Sequence, residues 1–140
     1  MIRAVMDTNV LVAALRSQDG ASFQILQFWR QQRWTLVLTN TVATEYEEVL
    51  RREAASLYLP SEDVGKLLDA FCVLAERRTL AERPLPIATD PDDEAFVHLA
   101  VEARADYIIT HNVRHLAPAR AHGIEVVTPA QFCKIVRQAI

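Results

Sequence analysis

The first sixteen residues constrain the fold more than any other part of the chain. A short apolar run over residues 2–6 ends at Asp7, and the chain passes at once into helical spacing over residues 9–16. In open parallel sheets, ligand sites lie just beyond the carboxyl ends of the strands. The position of Asp7 therefore indicates a functional site. Asp7 and Thr8 are also good helix N-caps, so capping of the next helix is the alternative interpretation.

Strand-like and helix-like patterns alternate along the whole chain. Strands are predicted at 2–6, 34–38, 107–109 and 125–127, with a further short one at 87–89; helices are predicted over 9–16, 23–30, 41–56, 60–78, 91–104, 113–121 and 129–138. Alternating elements of this kind predict a parallel sheet covered by helices on both faces, which is a three-layer α/β/α sandwich. The flanks of the proline-containing segment 80–91 are each too small to bury a core alone, so residues 1–140 are expected to form a single domain.

Composition excludes some classes of protein. Among the 140 residues 51% are apolar and 24% are charged, as in globular proteins with a full core. The formal net charge of −3 argues against a broadly basic nucleic-acid-binding surface, although a local arginine patch remains open. No apolar run approaches the roughly 20 residues that span a bilayer, and the first residues form a poor signal peptide. Cys72 and Cys133 are expected to be buried free thiols, and the expected location is the cytoplasm.

A second acidic segment coincides with a predicted helix start. Asp90 suits the N-cap and Pro91 the first helical position, so part of this acidic cluster needs no functional explanation. Asp93 is different, because it shares a helix face with Phe96 and Val97. A carboxylate turned inward needs a partner, and a cation is a suitable one.

Two further groups of polar residues are candidates for the same site. Glu45 and Glu47 border opposite sides of the buried stripe of one helix, and periodicity alone does not choose between them. Either glutamate could simply lie on the surface and pair with a nearby arginine. Thr110, His111 and Asn112 follow the predicted strand 107–109, at the rim where an α/β site would form.

Taken together, four segments resemble the PIN domain, a nuclease fold. The segments are VMDTNVLVAAL, EYEEVLRR, DPDDEAFVHLA and ADYIITHNVRHL, in family order over essentially the whole chain. The nearest resemblance is to the branch of toxin components of toxin–antitoxin pairs. It implies a central parallel sheet with strand order 3-2-1-4-5 and a cluster of acids at its carboxyl edge.

The resemblance also implies a set of site residues. Asp7, Glu45 and Asp93 would be the three catalytic, metal-binding acids, and Glu45 is favoured over Glu47. The fourth metal-binding position, often Asp in the family, is Asn112 here, which keeps an oxygen acceptor but removes a negative charge. The residues expected next to the ligands, without being ligands themselves, are Asn9, Asp92 and Thr110.

The cofactor and partners follow from the same resemblance. Mg2+ or Mn2+ prefers oxygen ligands, relieves carboxylate repulsion and activates water against a phosphodiester. RNA is the expected substrate. A cognate antitoxin and a homo-oligomer, a dimer or larger, are the expected protein partners, and no membrane is expected.

Three other kinds of protein are alternatives to this one. A dehalogenase-like phosphatase requires a second Asp where this chain has Asn9. A dinucleotide-binding domain requires a glycine-rich first turn, which the chain lacks. The remaining alternative is a PIN-like domain that binds RNA or protein without cleavage, and Asn112 is its main support.

Overall fold

A computed structural model describes residues 1–81 and 86–139, and it contains one five-stranded sheet. The strands are β1 (Arg3–Met6), β2 (Thr35–Leu38), β3 (Glu76–Arg77), β4 (Tyr107–Ile109) and β5 (Glu125–Val127). All neighbours pair in parallel in the order β3-β2-β1-β4-β5. The predicted sheet order is therefore confirmed, and β1 lies at the centre of the sheet.

Seven α-helices flank the sheet within the described residues and complete an α/β sandwich. They are α1 (Thr8–Arg16), α2 (Ala21–Arg30), α3 (Asn40–Glu53), α4 (Ser61–Leu74), α5 (Glu94–Ala103), α6 (Val113–Leu116) and α7 (Pro129–Gln138). A 3-10 turn, Pro91–Asp93, precedes α5, and another, Ala117–His122, follows α6. Helix α5 packs against β1, β2 and β4, while α2 packs against both α1 and α7.

Aromatic side chains fill the core beside the central strands. The Trp34 indole is buried, donates its N–H to the Ile25 carbonyl oxygen at 2.7 Å, and meets the Phe132 ring edge to face with 5.1 Å between centroids. On α3 and α4, the rings of Tyr46 and Phe71 lie 5.6 Å apart. These contacts fix α2, α3 and α7 against the sheet and so fix the loops at its edges.

Two predicted elements are wrong. The predicted helix 60–78 ends at Leu74, because Glu76 pairs with Val37 of β2 and starts the edge strand β3. The predicted strand 87–89 is a bend instead, since the backbone N–H groups of Ile87 and Ala88 donate to the Glu94 carboxylate at 2.9 and 2.6 Å rather than to a neighbouring strand.

One cysteine also differs from expectation. Both thiols are free, but Cys72 is exposed on α4 and only Cys133 is buried. The apolar residues around Cys72 in the sequence belong to a helix with just two buried positions, Val64 and Phe71. Within the described residues, no helix combines the length and hydropathy needed to cross a membrane.

Candidate active site at the carboxyl edge of the sheet

The candidate site is centred on Asp7, directly after β1. Its backbone N–H donates to the Ile109 carbonyl oxygen at 2.9 Å, which continues the β1–β4 pairing to the end of the strand. Only 7% of Asp7 is exposed. Its carboxylate accepts a 2.7 Å hydrogen bond from the hydroxyl of fully buried Thr110. Asp7 occupies the N-cap position of α1, as the alternative interpretation predicts, but its side chain makes no capping hydrogen bond there.

Glu45 is held beside this carboxylate by two contacts between α3 and the end of β1. The Thr8 hydroxyl donates to the Glu45 carboxylate, and the Tyr46 hydroxyl donates to the Met6 carbonyl oxygen. Tyr46 is completely buried, so α3 is fastened to β1 next to Asp7. Glu47 instead pairs with Arg51 at 3.1 Å on the exposed side of the helix. The structure thus separates two glutamates that periodicity alone left equivalent.

Asp93 is placed by the 3-10 turn that begins α5. The Asp90 carboxylate accepts the backbone N–H of Asp92 at 2.9 Å, which confirms Asp90 as N-cap with Pro91 at the first position. Asp93 lies at the junction between this turn and α5 and is half-buried, whereas Asp92 is exposed. The predicted inward turn of Asp93 fits this partial burial.

The electrostatics indicate that these acids lie close together. Burial raises the pKa of Asp7, against the opposing effect of the Thr110 hydroxyl and nearby backbone amide groups. Burial also raises the pKa of Glu45, and the negative charges of Asp7, Asp92 and Asp93 raise it further, while the Thr8 hydroxyl lowers it.

Asp93 behaves in the same way as Glu45. Burial raises the pKa of Asp93 first, the charges of Asp7 and Asp90 add to the effect, and His115 acts against it. Each of these pKa shifts therefore reflects a carboxylate that is partly desolvated, and both Glu45 and Asp93 also feel the charge of Asp7.

The predicted fourth ligand and one predicted supporting residue lie at helix starts and have polar groups available. Asn112 is exposed at the N-cap of α6, and its backbone N–H donates to the Thr110 hydroxyl at 2.9 Å. Asn9 follows Asp7 in the first turn of α1, and its Oδ1 is buried without a hydrogen-bond partner in the described part of the chain. Buried acceptors of this kind normally have a partner, so Asn9 is a candidate to receive a water or a ligand.

Sequence reasoning missed Thr8 and Tyr46 as contributors to this site. Thr8 had a usable signal, since a hydroxyl in the first helical turn beside Asp7 can reach a neighbouring carboxylate. Tyr46 had none, because its ring belongs to the apolar stripe of α3 and the target of its hydroxyl is a backbone atom distant in sequence.

The donor chemistry of the site fits a hard divalent cation. Carboxylate oxygens and the unpartnered amide oxygen of Asn9 are the ligand types that Mg2+ and Mn2+ prefer. The described residues nevertheless contain no group of three or more Asp, Glu, His or Cys side chains already arranged to hold a metal ion. A cation would therefore have to draw these side chains closer together.

Comparison with known proteins identifies a family for most of the chain. Residues 3–114 match the family model described as PIN domain, a span that includes all three acids and Asn112. The PIN domain is generally a nuclease fold and generally uses divalent metal ions. No curated protein matches the chain.

Proposed function

The chain belongs to the PIN domain family, and from this premise we propose that it is a divalent-metal-dependent endoribonuclease and the toxin of a toxin–antitoxin pair. The observation that carries the nuclease proposal is the grouping of Asp7, Glu45 and Asp93 at one edge of the sheet. Burial raises the pKa of all three carboxyl groups, and neighbouring negative charges raise the pKa of Glu45 and Asp93 further. Acids that repel one another in a partly desolvated site have a high intrinsic affinity for a divalent cation.

The proposed ligands are the carboxylates of Asp7, Glu45 and Asp93, with the Asn112 amide oxygen as a fourth. When bound, Mg2+ or Mn2+ would lower the pKa of water and stabilise negative charge on the phosphodiester. Asn112 adds no charge, so the site holds one carboxylate fewer than the usual family pattern.

The remaining residues of the site orient these ligands. The Thr110 hydroxyl holds one oxygen of Asp7, and its own oxygen accepts the Asn112 backbone N–H. The Thr8 hydroxyl holds one oxygen of Glu45. Asn9 and Asp92 would act from outside the ligand set, through hydrogen bonds or water.

RNA as substrate, a cognate antitoxin, a homo-oligomer and a cytoplasmic location belong to the same proposal. They rest on the resemblance of four ordered segments to toxin components of the family. Arginine outnumbers lysine in the chain, and its planar guanidinium suits bidentate contact with phosphate.

The second candidate function is RNA or protein binding without cleavage. Asn112 favours it, because an amide in place of a carboxylate weakens any second cation position. The absence of a ready-made metal ligand group among residues 1–81 and 86–139 favours it too. The nuclease is preferred because all three acids are present and grouped.

A cleavage assay tests the proposal. Highly purified protein is incubated with a pool of single-stranded and structured RNAs, including tRNA, in the presence of Mg2+ or Mn2+. Cleavage is expected with metal and not with chelator. Asp7→Asn and Asp93→Asn are each expected to reduce the rate on the order of a hundredfold or more, since each removes a ligand of the activating ion.

Asp19→Asn is the matched control, because Asp19 is an exposed acid in the α1–α2 loop. It should cleave as the wild type does. If wild type and Asp7→Asn behave alike with and without metal, cleavage is due to contamination or absent, and the binding function becomes the better account.

A further inference from the structure

A large cavity lies at the opposite, amino edge of the sheet. It has a volume of about 1460 Å³, and its wall includes the residues that lead into four strands: Ile2 before β1, Arg33 before β2, Asp106 before β4 and Ile124 before β5. Since a four-residue strand spans about 13 Å, this cavity and the acidic site are near enough for one extended strand of nucleic acid to touch both.

Three arginines of this cavity have no acidic partner within the described residues. Arg33, Arg104 and Arg137 line its wall, and none of them forms an ion pair there. In a chain of net charge −3, these three unpaired guanidinium groups outnumber the two acids of the same wall and make the cavity locally basic.

Two of these guanidinium groups share one aromatic platform. The Cζ atoms of Arg33 and Arg137 lie 4.4 and 5.8 Å from the centroid of the Phe28 ring. Attraction to the ring face helps to hold both guanidinium groups beside Phe28 without using their N–H donors. With these distances the two Cζ atoms lie at most about 10 Å apart, which is within reach of two neighbouring phosphates of one strand.

Helix ends explain only part of this arrangement. Basic residues near helix C-termini offset the negative end of the helix dipole, and Arg137 lies in the last turn of α7. Arg33 uses one donor on the Val136 carbonyl oxygen, at a long 3.4 Å. The side chains of Arg104 and Arg137 donate no hydrogen bond within the described residues, so most of the donor capacity of the cavity is unused.

The acids of the same wall favour a nucleic acid over an acidic peptide. Asp106 and Glu125 also line the cavity. They would repel a peptide that carries only carboxylates, whereas they can accept the amino-group hydrogens of nucleobases. A ligand with phosphates for the arginines and base N–H donors for the acids matches the charged groups of this wall.

We propose that this cavity binds a segment of the RNA strand outside the cleavage site, with backbone phosphates on Arg33 and Arg137. The proposal extends the proposed ribonuclease function, on which it rests for the identity of the ligand. The substrate would then contact both edges of the sheet, and the cavity would contribute to affinity and not to the reaction.

The test is RNA binding in chelator, so that it does not depend on cleavage. The full chain is titrated into a short fluorescein-labelled single-stranded RNA of mixed sequence, and anisotropy is followed at several salt concentrations. The double variant Arg33→Gln/Arg137→Gln is expected to bind about tenfold more weakly at low salt. Its plot of log K against log salt should be less steep by roughly 1.4, about 0.7 for each lost phosphate contact.

Arg51→Gln/Arg52→Gln is the matched control, because it removes the same charge from the exposed face of α3. It should keep the wild-type slope. Equal losses of RNA affinity in both double variants would indicate a general charge effect and would overturn the proposal. Wild-type affinity in the Arg33→Gln/Arg137→Gln variant would overturn it too. Displacement of the RNA by polyglutamate as effectively as by polyuridylate would assign the cavity to a peptide instead. The RNA-binding measurement does not require cleavage, so a negative cleavage assay would contradict the proposed nuclease function without contradicting the proposed RNA-binding cavity.

Discussion

The sheet holds carboxylates in two opposite electrostatic situations. Glu76 of β3 accepts hydrogen bonds from the Arg3 guanidinium, including Nε at 2.8 Å, and from Arg78 at 2.9 Å, and these partners lower its pKa to about 2. Asp7 and Glu45 accept side-chain hydrogen bonds from hydroxyl groups instead, and burial raises their pKa.

The difference separates a carboxylate that stabilises the fold from carboxylates that cost stability. The charge of Glu76 is compensated within the chain, so its ionisation favours the native state. The charges of Asp7, Glu45 and Asp93 lack a basic hydrogen-bonding partner among the described residues, so ionisation disfavours the native state until a cation binds. The acidic site thus has the electrostatics expected of a binding site, and the Glu76 cluster has those of a structural contact.

The contrast predicts its largest effect for Glu76→Gln. At neutral pH this variant should lose about 1–2 kcal/mol of unfolding free energy, because Arg3 keeps its position but loses its charged partner. Since the pKa of Glu76 is lowered from 4.5 to about 2 on folding, its stabilisation is present above pH 4.5 and is lost as the pH falls towards 2. Urea unfolding between pH 7 and 2 measures this window.

Asp7→Asn should do the opposite in the absence of metal. Because folding raises the pKa of Asp7, its charge costs stability at neutral pH, and the cost disappears as the pH falls through the raised pKa. The variant should be as stable as the wild type or more stable. A loss of stability in Asp7→Asn equal to that in Glu76→Gln would contradict the proposed difference between the two carboxylates. Glu48→Gln, on an exposed face of α3, serves as the neutral control.

A smaller effect is expected for Thr110→Val. The substitution removes the donor to Asp7 and the acceptor for the Asn112 backbone N–H, and it should cost about 1 kcal/mol. It should also raise the pKa of Asp7 further, because the Thr110 hydroxyl is the largest of the influences that lower it. NMR titration of the Asp7 carboxyl group measures the shift, and Thr110→Ser, which keeps the hydroxyl, should leave the pKa near the wild-type value.

The smallest effect is expected for Asn112→Asp. A fourth carboxylate should tighten Mn2+ binding about threefold, since charge count tunes the affinity of oxygen-ligand sites. Without metal it should lower stability slightly, by adding to the repulsion. Titration calorimetry of both proteins checks the first effect, and unchanged affinity would place Asn112 outside the ligand set.

The sequence predicted the elements whose causes are local. The Asp90–Pro91 helix start, the apolar run before Asp7 and the strand 107–109 each carry their own signal, and each is confirmed. The sequence did not predict strand β3, because nothing in Glu76 and Arg77 indicates a strand. Their conformation comes from pairing with β2 and from the Arg3 ion pair, which are contacts distant in sequence.

The candidate site shows the same limit. The residues next to Asp7 and Asp93 in the sequence were enough to predict both as site residues. The choice of Glu45 over Glu47, by contrast, required the family resemblance. The choice depends on the Thr8 hydroxyl and on the anchoring of Tyr46 to β1, neither of which has a periodic signature. Whether the grouped acids bind a metal depends on their response to a cation, which no sequence pattern encodes.

Calorimetric unfolding with and without Mn2+ tests the central claim most directly. If the acids at the carboxyl edge bind a divalent cation, Mn2+ at a hundredfold excess over its Kd should add about 2.7 kcal/mol to the unfolding free energy of the wild type. Asp7→Asn should gain little at the same concentration, while Asp19→Asn should gain as much as the wild type. Equal gains in the wild type and in Asp7→Asn, or none in either, would contradict the account.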